Sequence, residues 1–368
     1  MRSLALLSAA AIVACDTASN KTALLDSANG MDSAAGAVGS DTGAAHYGAT
    51  GAANLRTVAD TGAITVFPDK PRVGGVIVAT LVGDSTMAAR CTWKGSAIPC
   101  HHTAAGIRVF IPLSAGDSAG VFALTIDTPN ARVTRQVTVA PHEFGRELIL
   151  LSDTLFSLVR RRADIARDAR AVRQVLSGMT REQRWSGRWR DPVQEREKTS
   201  PYGIERFYAP ASDSSRSIPL DNSRAPGSFG ADTLRGDVDL PGWRHAGVDI
   251  ARSLRGAVNA PAAGVVADVG QYALMGRTVF IDHGHGVYSA FFHLDTALVR
   301  RGDEVSAGTS VGRVGRTGLA TGPHLHYGIY VNGRDVDPAL WRDAVAWMEN
   351  RSVAKRGDSA RSAKGNRN

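Results

Sequence analysis

The residues best suited to chemistry in this chain are histidines and one aspartate in three short stretches. His245-Ala246-Gly247-Val248-Asp249 sets a His and an Asp four positions apart. Side chains of an extended strand return to the same face every second residue, so this pair can converge on a single ion. Gly322-Pro323-His324-Leu325-His326 sets two imidazoles at i and i+2, again on one face, with Leu325 turned to the core. One of them can bind a metal while its neighbour handles substrate or a proton. Phe291-Phe292-His293-Leu294 puts a third His at the end of an apolar strand, where a lone His is more often a satisfied core residue. Taken singly, each pattern also occurs without an ion. His283 and His285, in Asp282-His283-Gly284-His285-Gly286, read as turn residues, and His46, His101, His102 and His142 carry no argued role.

The elements that must position these groups are mostly strands. From His245 onward, residues 265–267, 278–281, 287–292, 311–314 and 325–331 are β-branched or aromatic runs joined by Gly-rich turns. They predict a compact, mostly antiparallel sheet. Further upstream, residues 163–176 carry Ile165, Ala169, Val172 and Leu176 at helical spacing, and Gly178 stops that helix. Residues 148–151 read as another strand. Residues 199–236, with Pro201, Pro210, Pro219 and Pro226, read as a long irregular segment, and loops of that length often border active sites. Residues 63–140 alternate short β-branched segments with turns such as Pro68-Asp69 and Thr128-Pro129-Asn130. That spacing predicts a small β-sandwich, for which an immunoglobulin-like arrangement is one form. The fold class expected is therefore mainly β: a sandwich, a helical and irregular linker, then an antiparallel-sheet domain.

Together, and in their order along the chain (245–249, 291–294, 322–326), the three chemical stretches resemble the lysostaphin-type, or LytM-type, peptidoglycan endopeptidases. The resemblance covers roughly residues 229–341. Besides the stretches already named, it includes Gly302-Asp303-Glu304-Val305, Gly315-Arg316-Thr317-Gly318 and the Thr321-Gly322 that opens the second His box. It implies a zinc metallopeptidase domain in which His245, Asp249 and His326 hold one Zn2+, while His293 and His324 form the catalytic pair. It also implies stem peptides of bacterial peptidoglycan as substrate. The chemistry of the residue types agrees. Two imidazoles and a carboxylate leave one position of a tetrahedral zinc open, as a catalytic site requires. No His-Glu-x-x-His motif supplies a glutamate base, so imidazoles must move the proton. Some relatives have lost ligands and activate other wall hydrolases, so a catalytically silent regulator is the alternative; here all five positions are present. A lipoyl- or biotinyl-type carrier, suggested by the Gly-Val rhythm of residues 302–318, needs a hairpin Lys, and no Lys lies between His245 and Trp341. One departure concerns an Arg that family members often carry soon after a Phe-Gly ahead of the zinc box. Here Phe229-Gly230 leads into Ala231-Asp232, and Arg235 comes later.

The first residues read as an export signal, with Arg2 as the positive start and residues 4–13 as the apolar stretch. Ile12-Val13-Ala14-Cys15 resembles a lipoprotein cleavage box, which implies acylation of Cys15 and a lipid anchor in a bacterial membrane, facing the periplasm or cell wall. The two remaining cysteines, Cys91 and Cys100, are expected to form a disulfide in an exported chain; the rival is a metal pair with His101 and His102. The formal charge of +8 is concentrated in a tail where Arg351, Lys355, Arg356, Arg361, Lys364 and Arg367 face Asp358 alone. For an exported chain that distribution argues against nucleic acid; it fits first a merely solvated tail, and second a weak tether to anionic lipid or wall polymer. The boundaries expected are a signal peptide at 1–14, a flexible tether at 15–62 and the sandwich at 63–140. A helical and irregular linker at 141–228, the peptidase domain at 229–345 and a basic disordered tail at 346–368 complete them.

Overall fold

Short β-branched runs dominate the amino-terminal half, and the computed structural model pairs them into two sheets. It describes residues 56–59, 63–194, 197–212 and 243–365. The signal peptide, Cys15 and nearly all of the expected tether therefore lie outside the described residues, as do Phe229-Gly230 and Arg235. The strands are β1 (Arg56–Ala59), β2 (Ile64–Phe67), β3 (Val76–Val82), β4 (Arg90–Trp93), β5 (Ser96–Ile98), β6 (His101–Thr103), β7 (Gly106–Pro112), β8 (Gly120–Asp127) and β9 (Ala131–Val139). One sheet runs β1-β9-β8-β4-β5 and the other β2-β3-β7-β6. Ile77, Val109, Ile111, Leu124, Ile126 and Val137 are buried between them. Alternate residues Val76, Val78 and Phe110 face the opposite way and join the core of the carboxy-terminal domain. Sheet β2-β3-β7-β6 is thus covered on both faces, which is why β3 and β7 are mostly apolar, with Thr80 and Arg108 as exceptions, rather than alternating. Cys91 and Cys100 are bonded to each other, so the alternative of a thiolate metal pair does not arise.

The expected linker has more order than its sequence suggests. Strand β10 (Arg146–Leu151), helices α1 (Asp153–Val159) and α2 (Arg162–Leu176), and strands β11 (Glu197–Ser200) and β12 (Glu205–Pro210) follow one another. β10 and β12 pair in parallel, with the helices in the crossover, and β12 also pairs with β13 (Trp243–Arg244). Residues 199–212 therefore correct the expectation of an irregular segment. Glu205 and Arg206 interrupt the apolar pattern that marks a strand, yet both are buried because ion pairs compensate their charge. Helix α2 packs Val172 and Leu176 inward. It also sends the buried Asp168 carboxylate to accept from the Ala273 backbone N–H at 2.6 Å.

The carboxy-terminal sheet contains β14 (Val248–Ala251), β15 (Ala257–Asn259), β16 (Gly264–Tyr272), β17 (Gly276–Asp282), β18 (Val287–Ala297), β19 (Glu304–Val305), β20 (Ser310–Val314), β21 (His324–Val331) and β22 (Arg334–Val336). Its main path runs β11-β14-β21-β18-β17-β16-β19, with every pairing antiparallel. Helix α3 (Pro338–Gly365) closes the chain, with Trp341, Ala344, Val345 and Met348 in the core. It continues through most of the basic tail expected to be disordered from residue 346. Ala354, Ala360 and Ala363, with Arg and Lys between them, are strong helix formers, and no Pro follows Pro338. No helix of the described residues is long and apolar enough to cross a membrane.

Candidate metal centre

Strand register brings the first two chemical stretches together. β14 pairs with β21 so that Asp249 lies directly opposite His326, and β18 pairs on the other side of β21 so that Phe292 lies opposite His326. Leu325 and Tyr327 alternate to the opposite face with Val248 and Ile250, and all four enter the apolar core. His245 precedes β14 and folds back over it. That return is possible because residue 247 is Gly: a Cβ there would sit 2.4 Å from the Tyr327 carbonyl oxygen and 2.7 Å from His326 Nε2.

Three donor atoms converge at this point. His245 Nε2 lies 3.1 Å from Asp249 Oδ1 and 2.9 Å from His326 Nδ1, and His326 Nδ1 lies 3.0 Å from Asp249 Oδ1. His245 Nδ1 lies 2.7 Å from the Pro201 carbonyl oxygen and must donate to it, which leaves Nε2 of the neutral ring as a bare lone pair. That lone pair faces a carboxylate oxygen in a fully buried site, an arrangement that requires a shared proton or a cation between the acceptors. Edges of about 3.3 Å are expected between ligand atoms of a tetrahedral zinc with bonds near 2.0–2.1 Å. The donor set and its spacing therefore fit a small divalent ion after a slight outward movement.

Burial acts on each group. Desolvation pushes the Asp249 carboxyl up, but attraction to His245 and to Arg206 outweighs it and holds the group well below the usual carboxylate range. Burial lowers His245, and it lowers His326 to about 4, so both rings are neutral and available as ligands. The other oxygen of Asp249, Oδ2, accepts from Arg206 Nη2 at 2.7 Å. Arg206 is 1% exposed and Asp249 is 0% exposed.

His293 and His324 stand beside this cluster with ring centroids 4.7 Å apart. His293 Nδ1 donates to the Thr317 carbonyl at 2.8 Å, and His324 Nδ1 donates to the Gly322 carbonyl at 2.9 Å. Each ring is thereby fixed in the tautomer whose Nε2 is a free base, and neither Nε2 has a hydrogen-bond partner among the described residues. His324 Nε2 lies 3.8 Å from Asp249 Oδ1. Burial, with His324 and His326 as neighbours, lowers His293 well below the ordinary imidazole range. His293 does not end an apolar strand; β18 continues to Ala297, and His293 sits at a register shift with φ +62°. A non-Gly residue in the left-handed region is strained, and here the strain turns one side chain out of the strand's alternation toward the cluster.

The two turn histidines take no part. His283 is buried and bonded at both nitrogens, to the Ala263 carbonyl and to Ser289 Oγ, each at 2.8 Å. His285 stacks on His101 of the sandwich at 4.2 Å. The groups missed in the sequence are Arg206 and the carbonyls of Pro201, Thr317 and Gly322. Backbone acceptors have no residue signature. Arg206 does have one: Tyr202-Gly203 followed by Arg206 is an aromatic-Gly with an Arg soon after, earlier in the chain than the Phe229-Gly230 match.

A mainly β domain that turns two imidazoles and a carboxylate onto one point, beside two free-base imidazoles, has the make-up of a metallopeptidase. Residues 243–338 match Peptidase family M23, and the chain carries a domain of that family. The peptidoglycan DD-endopeptidase ShyA of Vibrio cholerae is 39% identical over 93 residues, 25% of this chain and 22% of that protein. The DD-carboxypeptidase/endopeptidase Mpg of Neisseria meningitidis is 38% identical over 121 residues, 33% of this chain and 27% of that protein. The chain thus spans only about a quarter of the length of these curated relatives. A solved peptidase M23 structure from Pseudomonas aeruginosa aligns over 74% of this chain and 95% of its own, at 24% identity and a TM-score of 0.47.

Proposed function

We propose that this chain is a zinc-dependent endopeptidase that hydrolyses peptide cross-links of bacterial peptidoglycan. The observation that carries the reading is the convergence of His245, Asp249 and His326 beside two imidazoles already held as bases. When bound by those three residues, zinc supplies Lewis acidity toward water and toward the scissile carbonyl. The chain's own residues supply the rest. His293 and His324, with Nε2 unprotonated, accept the proton of the attacking water, and the imidazolium formed can return it to the leaving amine. The Thr317 and Gly322 carbonyls keep both rings in register through the proton transfer.

The substrate class follows from the M23 domain together with relatives named for peptidoglycan DD-endopeptidase activity. Export and a lipid anchor at Cys15 are part of the same reading, because an anchored hydrolase meets the wall polymer at the membrane surface. The test is incubation of the purified chain with isolated sacculi, with and without a chelator. Muropeptide release that stops with the chelator and returns with zinc is expected. Release indifferent to the chelator, or none from the zinc-loaded chain, sinks the proposal.

A further inference from the structure

Residues 197–210 precede the segment that matches the peptidase family, yet they surround its metal cluster. β11 pairs with β14 in a register that sets Ser200 against Asp249. The Gly203 N–H donates to the His245 carbonyl, the His245 N–H donates to the Ile204 carbonyl, and Pro201 receives His245 Nδ1. β12 then delivers Arg206, which pairs with Asp249 Oδ2 at 2.7 Å and with Glu147 Oε2 of β10 at 3.4 Å. An arginine this deeply buried is costly unless charge opposes it. Here Nη2 is bonded to a candidate metal ligand, Tyr208 and the Glu147 carboxylate lie beside the fork, and Nε and Nη1 have no hydrogen-bond acceptor among the described residues.

We propose that Arg206 is a positioning residue of the metal centre: it occupies Oδ2 of Asp249, so that Oδ1 alone is presented to the ion. The inference rests on the reading of this cluster as a zinc site. Without the guanidinium, the carboxylate can rotate or offer both oxygens, and the geometry that leaves one coordination position for water is no longer imposed. The catalytic unit therefore begins upstream of residue 243, and β10 belongs to it through Glu147.

The test uses the full chain with Arg206→Met, which keeps length and removes the fork, and Arg206→Lys, which keeps the buried charge and serves where the Met variant does not fold. Far-UV circular dichroism of the metal-free protein establishes which variants are folded. Zinc affinity is read by competition with a chromophoric chelator. Loss of an outer partner of a metal ligand typically weakens binding by about 10–100-fold, and that is the range expected for either variant. The cobalt(II)-loaded chain gives a second reading: its visible band should weaken in the variants as the second carboxylate oxygen joins the ion. Unchanged or tighter zinc binding by a folded variant overturns the role of Arg206. A cobalt spectrum identical to that of the wild type also overturns it, even with weaker binding, because the loss is then structural. Failure of the wild-type chain itself to take up zinc is a different result, and it removes the metal-centre reading as well.

Discussion

Acidification should loosen the strand that carries His293 through a residue that does no chemistry. His283 is wholly buried, donates from Nδ1 to the Ala263 carbonyl and accepts at Nε2 from Ser289 of β18. Burial lowers its pKa from 6.5 to about 4. In the unfolded chain the ring takes up a proton as pH falls through about 6.5, while the folded ring stays neutral until about 4. Over that window the unfolded state binds more protons, so stability falls with pH and levels off below about 4. Between pH 7 and pH 5 this one group removes about 1.8 kcal/mol. The perturbation that isolates it is His283→Asn, whose amide can still donate to Ala263 but does not titrate. At pH 7 the variant should be less stable than the wild type by about 1–3 kcal/mol for the lost Ser289 contact. By pH 5 the difference should shrink by about 1.8 kcal/mol, because only the wild type loses the titrating term. Urea denaturation of both metal-free proteins at the two pH values measures it. A difference that stays constant between pH 7 and pH 5 refutes the reasoning.

Three other outcomes are expected. Asp249→Ala should abolish zinc binding and also lower stability by about 3–5 kcal/mol, since it strands the buried Arg206 guanidinium; chelator competition and a thermal melt read the two effects separately. His293→Ala and His324→Ala should each lower kcat by about 10²–10⁴ while zinc content by metal analysis stays at one per chain. Replacing Cys91 and Cys100 together by Ser should cost about 2–3 kcal/mol in a denaturant titration and leave zinc affinity unchanged.

How much was legible in the sequence varies with the kind of signal. The β14 and β21 stretches were readable because their chemistry obeys the two-residue period of a strand: Asp249, His324 and His326 point one way while Leu325 and Tyr327 enter the core. The apolar runs of β3 and β7 marked strands but hid that both faces are covered, since a continuous run does not say what lies on either side. β12 was missed because its alternation is broken by Glu205 and Arg206, whose burial depends on partners far away in sequence. The role of His293 was beyond periodicity altogether, since it depends on a positive φ at a register shift. The basic tail read as irregular from charge alone, although its Ala, Lys and Arg content favours the helix that extends to Gly365.

Phe110 of the sandwich packs edge-on to Trp341 with ring centroids 5.6 Å apart and lies 6.4 Å from Trp185. Trp341 and Trp185 are 0% and 3% exposed. A shorter version of the chain, trimmed to residues 243–338, would keep every histidine of the cluster but lose both indoles along with Phe110, and bare to water the apolar residues packed with them, such as Ile329, Val331 and Val336. Such a fragment would be expected to self-associate, and its poor behaviour would report a missing neighbour rather than a defective enzyme.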